Sequence, residues 1–126
     1  MLINVPVSIG ELFDKISILD IKTKKIKNKD DLKLIKYELS KLRKIVKSKG
    51  LTSINIKNKY QSLKSINEKL WIIENKKRRC EKLKKFDNNF INLARKVYIY
   101  NDMRASLKKD INELSGSSIV EIKSHN

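Results

Sequence analysis

Apolar residues recur along most of this chain at intervals of three and four. That is the period of an amphipathic helix, and the breaks between runs fall at capping residues. Leu12, Phe13, Ile16, Leu19 and Ile26 mark one face of a first helix, predicted from about Ile9 to Ile26. Ser8-Ile-Gly-Glu11 matches a capping box, with Glu11 reaching back to the cap, and Val7 and Leu12 occupy the two positions of a hydrophobic staple. Ile18 and Ile21 fall on another side, so this helix is predicted to be buried on two faces. Asn28-Lys-Asp-Asp31 supplies a break and an N-cap. A second helix then runs from about Leu32 to Lys49, with Leu32, Ile35, Leu39, Leu42 and Val46 in an uninterrupted a/d pattern. Gly50 stands where a left-handed residue closes a helix, and Thr52 or Ser53 can cap the next.

The third helix is predicted from Ile54 to Lys85 without a breaker, its apolar arc holding Ile56, Tyr60, Leu63, Ile66, Leu70 and Ile73. Asp87 caps a fourth, which ends near Gly116 and carries Phe90, Leu93, Val97, Tyr100, Leu107 and Ile111 on one side. Residues 2–5, before Pro6, and Ser117–Ser124 alternate weakly and are read as extended segments able to pair as strands. The pattern predicts an all-α, antiparallel four-helix bundle, one domain over residues 1–126, with short extended termini.

The apolar arcs are not wholly apolar. Asp20 and Thr23 interrupt the first helix, and the second has no interruption. Asn67 and Glu74 lie inside the third arc, with Trp71 at its edge and Arg78 one turn beyond Glu74. On a wheel at 100° per residue Arg104 falls inside the fourth arc, and Asn101 and Lys108 fall at its edge. Arg and Lys are seldom fully buried unless paired, so these positions call for partners on other helices. Asp20, Asn67, Trp71, Glu74, Arg78, Asn101, Arg104 and Lys108 are therefore the candidate binding residues, and Arg104 is expected to be partly buried and within reach of a partly buried Glu74, directly or through one residue such as Asn67 or Asn101. Two readings stand. One is a buried structural network; the other is a pocket whose excess of cations suits a carboxylate, phosphate or sugar nucleotide. Trp71, Tyr98 and Tyr100 are either ordinary packing aromatics or a stacking surface.

Composition removes several chemistries. The single histidine, His125, is near the C-terminus, which leaves no His-containing zinc site and no Glu-x-x-His di-iron pattern. Asp20, Glu74 and Asp102 offer carboxylates but no metal-ligand spacing. There is no P-loop and no glycine-rich dinucleotide fingerprint, so no metal and no cofactor is implied. The one cysteine, Cys80, has basic neighbours but no histidine to activate it. One cysteine, no basic-then-apolar leader and no apolar run long enough to span a bilayer point to a cytoplasmic protein.

The net charge of +16 is mostly lysine, and lysine, asparagine and isoleucine share AT-rich codons. The excess thus reads equally as genomic skew and as a footprint for weak, non-specific nucleic-acid binding at low salt. Its densest stretch, Lys76–Lys85, is either a solvated helix end or a contact for phosphates of nucleic acid or lipid. A third helix of roughly 45–48 Å beside first and second helices nearer 27 Å leaves apolar surface uncovered. Together with Ile18 and Ile21 this predicts a homodimer.

Val5-Pro-Val-Ser-Ile-Gly-Glu-Leu-Phe-Asp-Lys-Ile-Ser-Ile-Leu-Asp-Ile-Lys22, Ile66-Asn-Glu-Lys-Leu-Trp-Ile-Ile-Glu74 and Phe90-Ile-Asn-Leu-Ala-Arg95 with Asn101-Asp-Met-Arg-Ala105 together resemble a small bacterial family of unknown function. The resemblance covers nearly the whole chain. It implies a stand-alone helical domain met in neighbourhoods of glycosyltransferase and surface-polysaccharide genes, with no established activity. Its pattern includes Glu11, Glu68, Trp71, Glu74, Arg95, Asn101, Asp102, Arg104 and Lys108 at matching positions. It departs at the tail, where family members more often carry two adjacent acids and a terminal aromatic in place of Glu121-Ile122 and His125. The reading that follows is a non-catalytic binding or accessory protein linked to surface-polysaccharide biosynthesis. Its alternatives are a transferase, isomerase or lyase for an anionic substrate, and a nucleic-acid-binding module.

Overall fold

The computed structural model describes residues 1–123. Four helices account for the fold: α1 (Ile9–Lys25), α2 (Lys29–Ser48), α3 (Ile54–Leu83) and α4 (Asn88–Ser115). Each starts where a side chain can satisfy the free N–H groups of a first turn. Ser8, Asn28, Ser53 and Asp87 accept from Glu11, Asp31, Ile56 and both Asn89 and Phe90, respectively. α2 begins three residues earlier than the apolar pattern suggests, because its cap is Asn28, the first residue of the Asn28–Asp31 stretch. The capping box at α1 is half-formed: Ser8 receives the Glu11 N–H at 3.0 Å, but the Glu11 carboxylate turns to Lys108 instead. Val7, the outer half of the expected staple, stays exposed.

The bundle is antiparallel and built around α1, which packs on all three other helices, while α2 lies along α1 alone and α3 pairs with α4. That arrangement explains the burial pattern. Leu12, Ile16 and Leu19 on one side of α1 form a cluster with Leu39 of α2, against which Ile35, Leu42 and Val46 pack. With one neighbour, α2 buries only Leu39 fully despite its regular apolar stripe. Phe13, Ile56, Leu63 and Ile111 form a second cluster between α1, α3 and α4. Ile21 is 2% exposed within the single chain, so it does not ask for a second copy as expected, and Ile18 is half-buried. The surplus length of α3 over α1 is likewise matched by α4, which is nearly as long. The α3 helix runs unbroken through Asn67 and Asn75.

The expected strands do not form: residues 2–7 and 117–123 carry no ladder. The tail instead spends its polar groups on side chains, as described below. Ser124 and His125 lie outside the described residues. Among the described residues, no helix is long and apolar enough to cross a membrane.

Candidate functional site

The face of α1 turned away from α2 carries Gly10, Asp14, Ser17 and Ile21, at intervals of four, three and four, and all four are buried. Asp14 is 1% exposed, so its charge needs a complete set of donors. Arg104 supplies two, with Nε at 2.9 Å from Oδ1 and Nη2 at 2.5 Å from Oδ2. This is the bidentate fork that suits a carboxylate. Asn67 of α3 adds Nδ2 at 2.9 Å from Oδ1 and also donates to Ser17 Oγ at 2.6 Å. Ser17 in turn donates to the Asp14 carbonyl at 2.7 Å. The hydrogen bonds from Asp14, outweighing the opposing effect of burial, push the Arg104 guanidinium above its ordinary value, with the negative charges of Asp14 and Glu11 acting in the same sense.

One to two turns toward the α1 N-terminus is a second group. Lys108 Nζ donates to Glu11 Oε2 at 2.6 Å and lies 3.9 Å from Glu121 Oε1. Asn112, 3% exposed, accepts the Gly10 N–H at 2.6 Å and donates to Glu121 Oε2 at 3.1 Å. The Ser8 hydroxyl donates to the other Glu121 oxygen, and Ser117 Oγ takes the Ile9 N–H at 3.1 Å. The tail thus lays a carboxylate against the α1 N-terminus, where the helix dipole favours it. Burial by itself would raise the Glu121 carboxyl. The hydrogen bonds from Ser8 and Asn112 and the charge of Lys108 outweigh that and hold it below its ordinary value. Gly10 is what lets α1 and α4 approach here: a Cβ at that position would sit 2.5 Å from the Lys108 carbonyl oxygen and 2.9 Å from Asn112 Oδ1.

A third group lies on the α2 side. Asp20 pairs with Arg43 of α2 and accepts from the Tyr60 hydroxyl at 2.5 Å. Burial, and then the hydrogen bond to Asp20 and its charge, push the Tyr60 phenol well above its ordinary value.

The expected constellation is therefore split. Asn67 and Arg104 meet, through Asp14, and Asn101 touches their edge with Oδ1 3.5 Å from Arg104 Nη1. Lys108 belongs to the second group and Asp20 to the third. Glu74 is not the partner of Arg104; it stands 3.7 Å from Lys77 of its own helix. Arg78 is exposed and has no carboxylate partner among the described residues, and Trp71 is half-buried. Tyr98 is exposed, and Tyr100 is half-buried with Lys69 Nζ 5.6 Å from its ring centre, so the three aromatics build no common stacking surface. Asp20, Glu74 and Asp102 face three different cations, Arg43, Lys77 and Lys123, and among the described residues no three potential metal ligands converge.

No family model, curated protein or solved structure matches the chain.

Sequence reasoning missed Asp14, Ser17 and Asn112 because candidates were drawn only from the main apolar arc of each helix, and these three lie outside it, although Ile18 and Ile21 had marked a second buried face on α1. The available signal was Ile21, apolar on the same side of α1 as Asp14 and Ser17. Among the described residues, no buried side-chain nitrogen or oxygen lacks a partner. An open concavity of about 600 Å³ between α3 and α4 is lined by Gln61, Ser65, Met103 and Ser106 among others, and touches none of the three polar groups.

Proposed function

We propose that this chain is a non-catalytic binding or accessory protein. The observation that carries the reading is the closure of its polar interior. Asp14, Arg104, Asn67 and Ser17 satisfy one another, and Lys108, Asp20 and Glu74 are drawn to separate partners. A transferase, isomerase or lyase for an anionic substrate would need those same groups free to turn on a ligand. Convergent, internally satisfied polar networks of this kind rigidify a bundle and specify its packing. The link to surface-polysaccharide assembly is supported by the motif resemblance of residues 5–22, 66–74 and 90–105.

A thermal-shift series with sugar nucleotides, polyphosphates and carboxylates tests the reading, because a ligand that binds only the native state raises Tm. None is expected to give a saturable rise. A saturable rise with one of them, lost in Lys108→Met, would show that these polar groups open to an anionic ligand, and conversion of that ligand by the protein would then support the enzyme alternative. Deletion of the gene should lower the yield of surface polysaccharide while leaving sugar-nucleotide turnover in extracts unchanged. Cytoplasmic residence is part of this reading and rests on the composition.

A homodimer belongs to it as well. The support is the outer side of α2, where Leu34 is 70%, Tyr37 53% and Ile45 43% exposed at near-helical spacing. A stripe of this kind is what a two-fold pair of chains would cover. Light scattering coupled to size exclusion should return the mass of two chains, and Leu34→Ser with Ile45→Ser should return one.

A further inference from the structure

The far end of the α3–α4 hairpin projects past the rest of the bundle. Asp14 stands level with Asn67 and Arg104. Eleven residues later, α1 ends at Lys25. The same distance along parallel α3 reaches Arg78, and back along antiparallel α4 it reaches Leu93. Residues 79–92 therefore lie beyond α1, and none of them is buried.

This tip is both basic and apolar. Arg78, Arg79, Lys82 and Lys85 are exposed and have no carboxylate partner among the described residues. The two acids nearby are already engaged: Glu81 lies 3.1 Å from Lys84, and Asp87 caps α4 through the N–H groups of Asn89 and Phe90. Between these cations Leu83 is 55%, Phe86 51% and Ile91 51% exposed. Phe86 is braced edge-on by Phe90, ring centres 5.2 Å apart. The apex residue is Lys84, held at φ +53°, whereas the other two left-handed positions among the described residues are glycines, Gly50 and Gly116. Glycine would adopt that conformation without strain, whereas the lysine holds it at a conformational cost.

We propose that this hairpin tip docks on an anionic lipid surface. Arg78, Arg79, Lys82 and Lys85 would meet the headgroup phosphates, with Leu83 and Phe86 entering the headgroup–acyl boundary. Charge complementarity selects an anionic partner, and the exposed aliphatic and aromatic side chains at the apex select lipid over nucleic acid. A phosphodiester backbone offers nothing to Leu83, whereas an interface rewards both halves of a basic, apolar projection. The inference does not rest on the accessory role proposed above.

The test is flotation of the full chain with phosphatidylcholine vesicles and with vesicles rich in phosphatidylglycerol. Binding is expected only to the second. Each cation near an anionic surface contributes roughly fivefold in affinity, so Arg79→Gln with Lys82→Gln should weaken binding by about 25-fold. Leu83→Ser with Phe86→Ser should weaken it several-fold at unchanged net charge. These side chains are exposed, so circular dichroism melts should match the parent chain. Lys47→Gln with Lys49→Gln, at the opposite end of α2, removes the same charge and should have little effect. The proposal is overturned if that control pair weakens binding as much as the tip pair, if the apolar pair has no effect, or if single-stranded RNA is bound more tightly than the vesicles at physiological salt.

Discussion

Asp14 is the side chain on which the interior depends most. It is an ionised group at 1% exposure, held by the Arg104 fork and one amide. Arg104→Met removes the countercharge and leaves the acid buried. The expected cost is about 3–5 kcal/mol, read from urea denaturation. Adding Asp14→Leu should recover part of the loss, because an apolar pair strands no charge. Glu74→Gln should cost under about 1 kcal/mol, since its partner Lys77 is on the same helix surface. Equal losses for Arg104→Met and Glu74→Gln would contradict the assignment. Tyr60 makes the pH prediction. Its phenol is raised in the folded chain above an ordinary value near 10. The folded state therefore holds its proton where the unfolded state releases it. The stabilisation is complete below about pH 10 and falls as pH rises above that value. Denaturation midpoints across alkaline pH should show this decline, and Tyr60→Phe should flatten it while costing about 1.5–3 kcal/mol at neutral pH for the lost bond to Asp20.

At the scale of elements, the contact between α1 and α4 shows how a general rule is reversed by a neighbour. Replacing glycine by alanine inside a helix ordinarily stabilises by roughly 0.5–1 kcal/mol. At Gly10 the added Cβ would meet the Lys108 backbone carbonyl at 2.5 Å, and backbone cannot swing away as a side-chain tip can. Gly10→Ala is expected to destabilise by about 1–3 kcal/mol, measured by thermal or urea unfolding; a stabilised variant would show that α1 and α4 are further apart. The same contact explains why α1 is buried almost all round. It is the shortest helix, yet it contributes Leu12, Ile16 and Leu19 to one cluster, Phe13 to another and Asp14 to the polar network. The longer α2 has only α1 to pack on, and its regular stripe stays half-exposed.

For the whole molecule, the charge of +16 outlasts every internal pairing, since thirty basic residues face fourteen acids. Such a surface attracts any polyanion at low ionic strength. We expect sequence-independent nucleic-acid binding that falls steeply with salt, to a dissociation constant of about 10⁻⁴–10⁻⁶ M under physiological conditions. Fluorescence anisotropy across a salt series measures it. Tight binding that survives salt, or preference for one sequence, would instead support a dedicated nucleic-acid module.

Helix number, approximate ends and caps were legible in the sequence, because they depend on local chemistry: the three-and-four spacing of apolar residues, and Ser8, Asn28, Ser53 and Asp87 at the starts. Arg104, Lys108, Asn67 and Asp20 were likewise visible as polar residues on apolar arcs. Their partners were not. An arc shows that a side chain faces inward, but the relative rotation and height of two helices decide what it meets. Height set Asp14 rather than Glu74 opposite Arg104, through the close approach that Gly10 permits. The C-terminal segment turned on the same kind of distant contact. Its weak alternation suggested a strand, but Ser8, Lys108 and Asn112 offered Glu121 a charged and hydrogen-bonded berth, so the tail follows its carboxylate rather than its period.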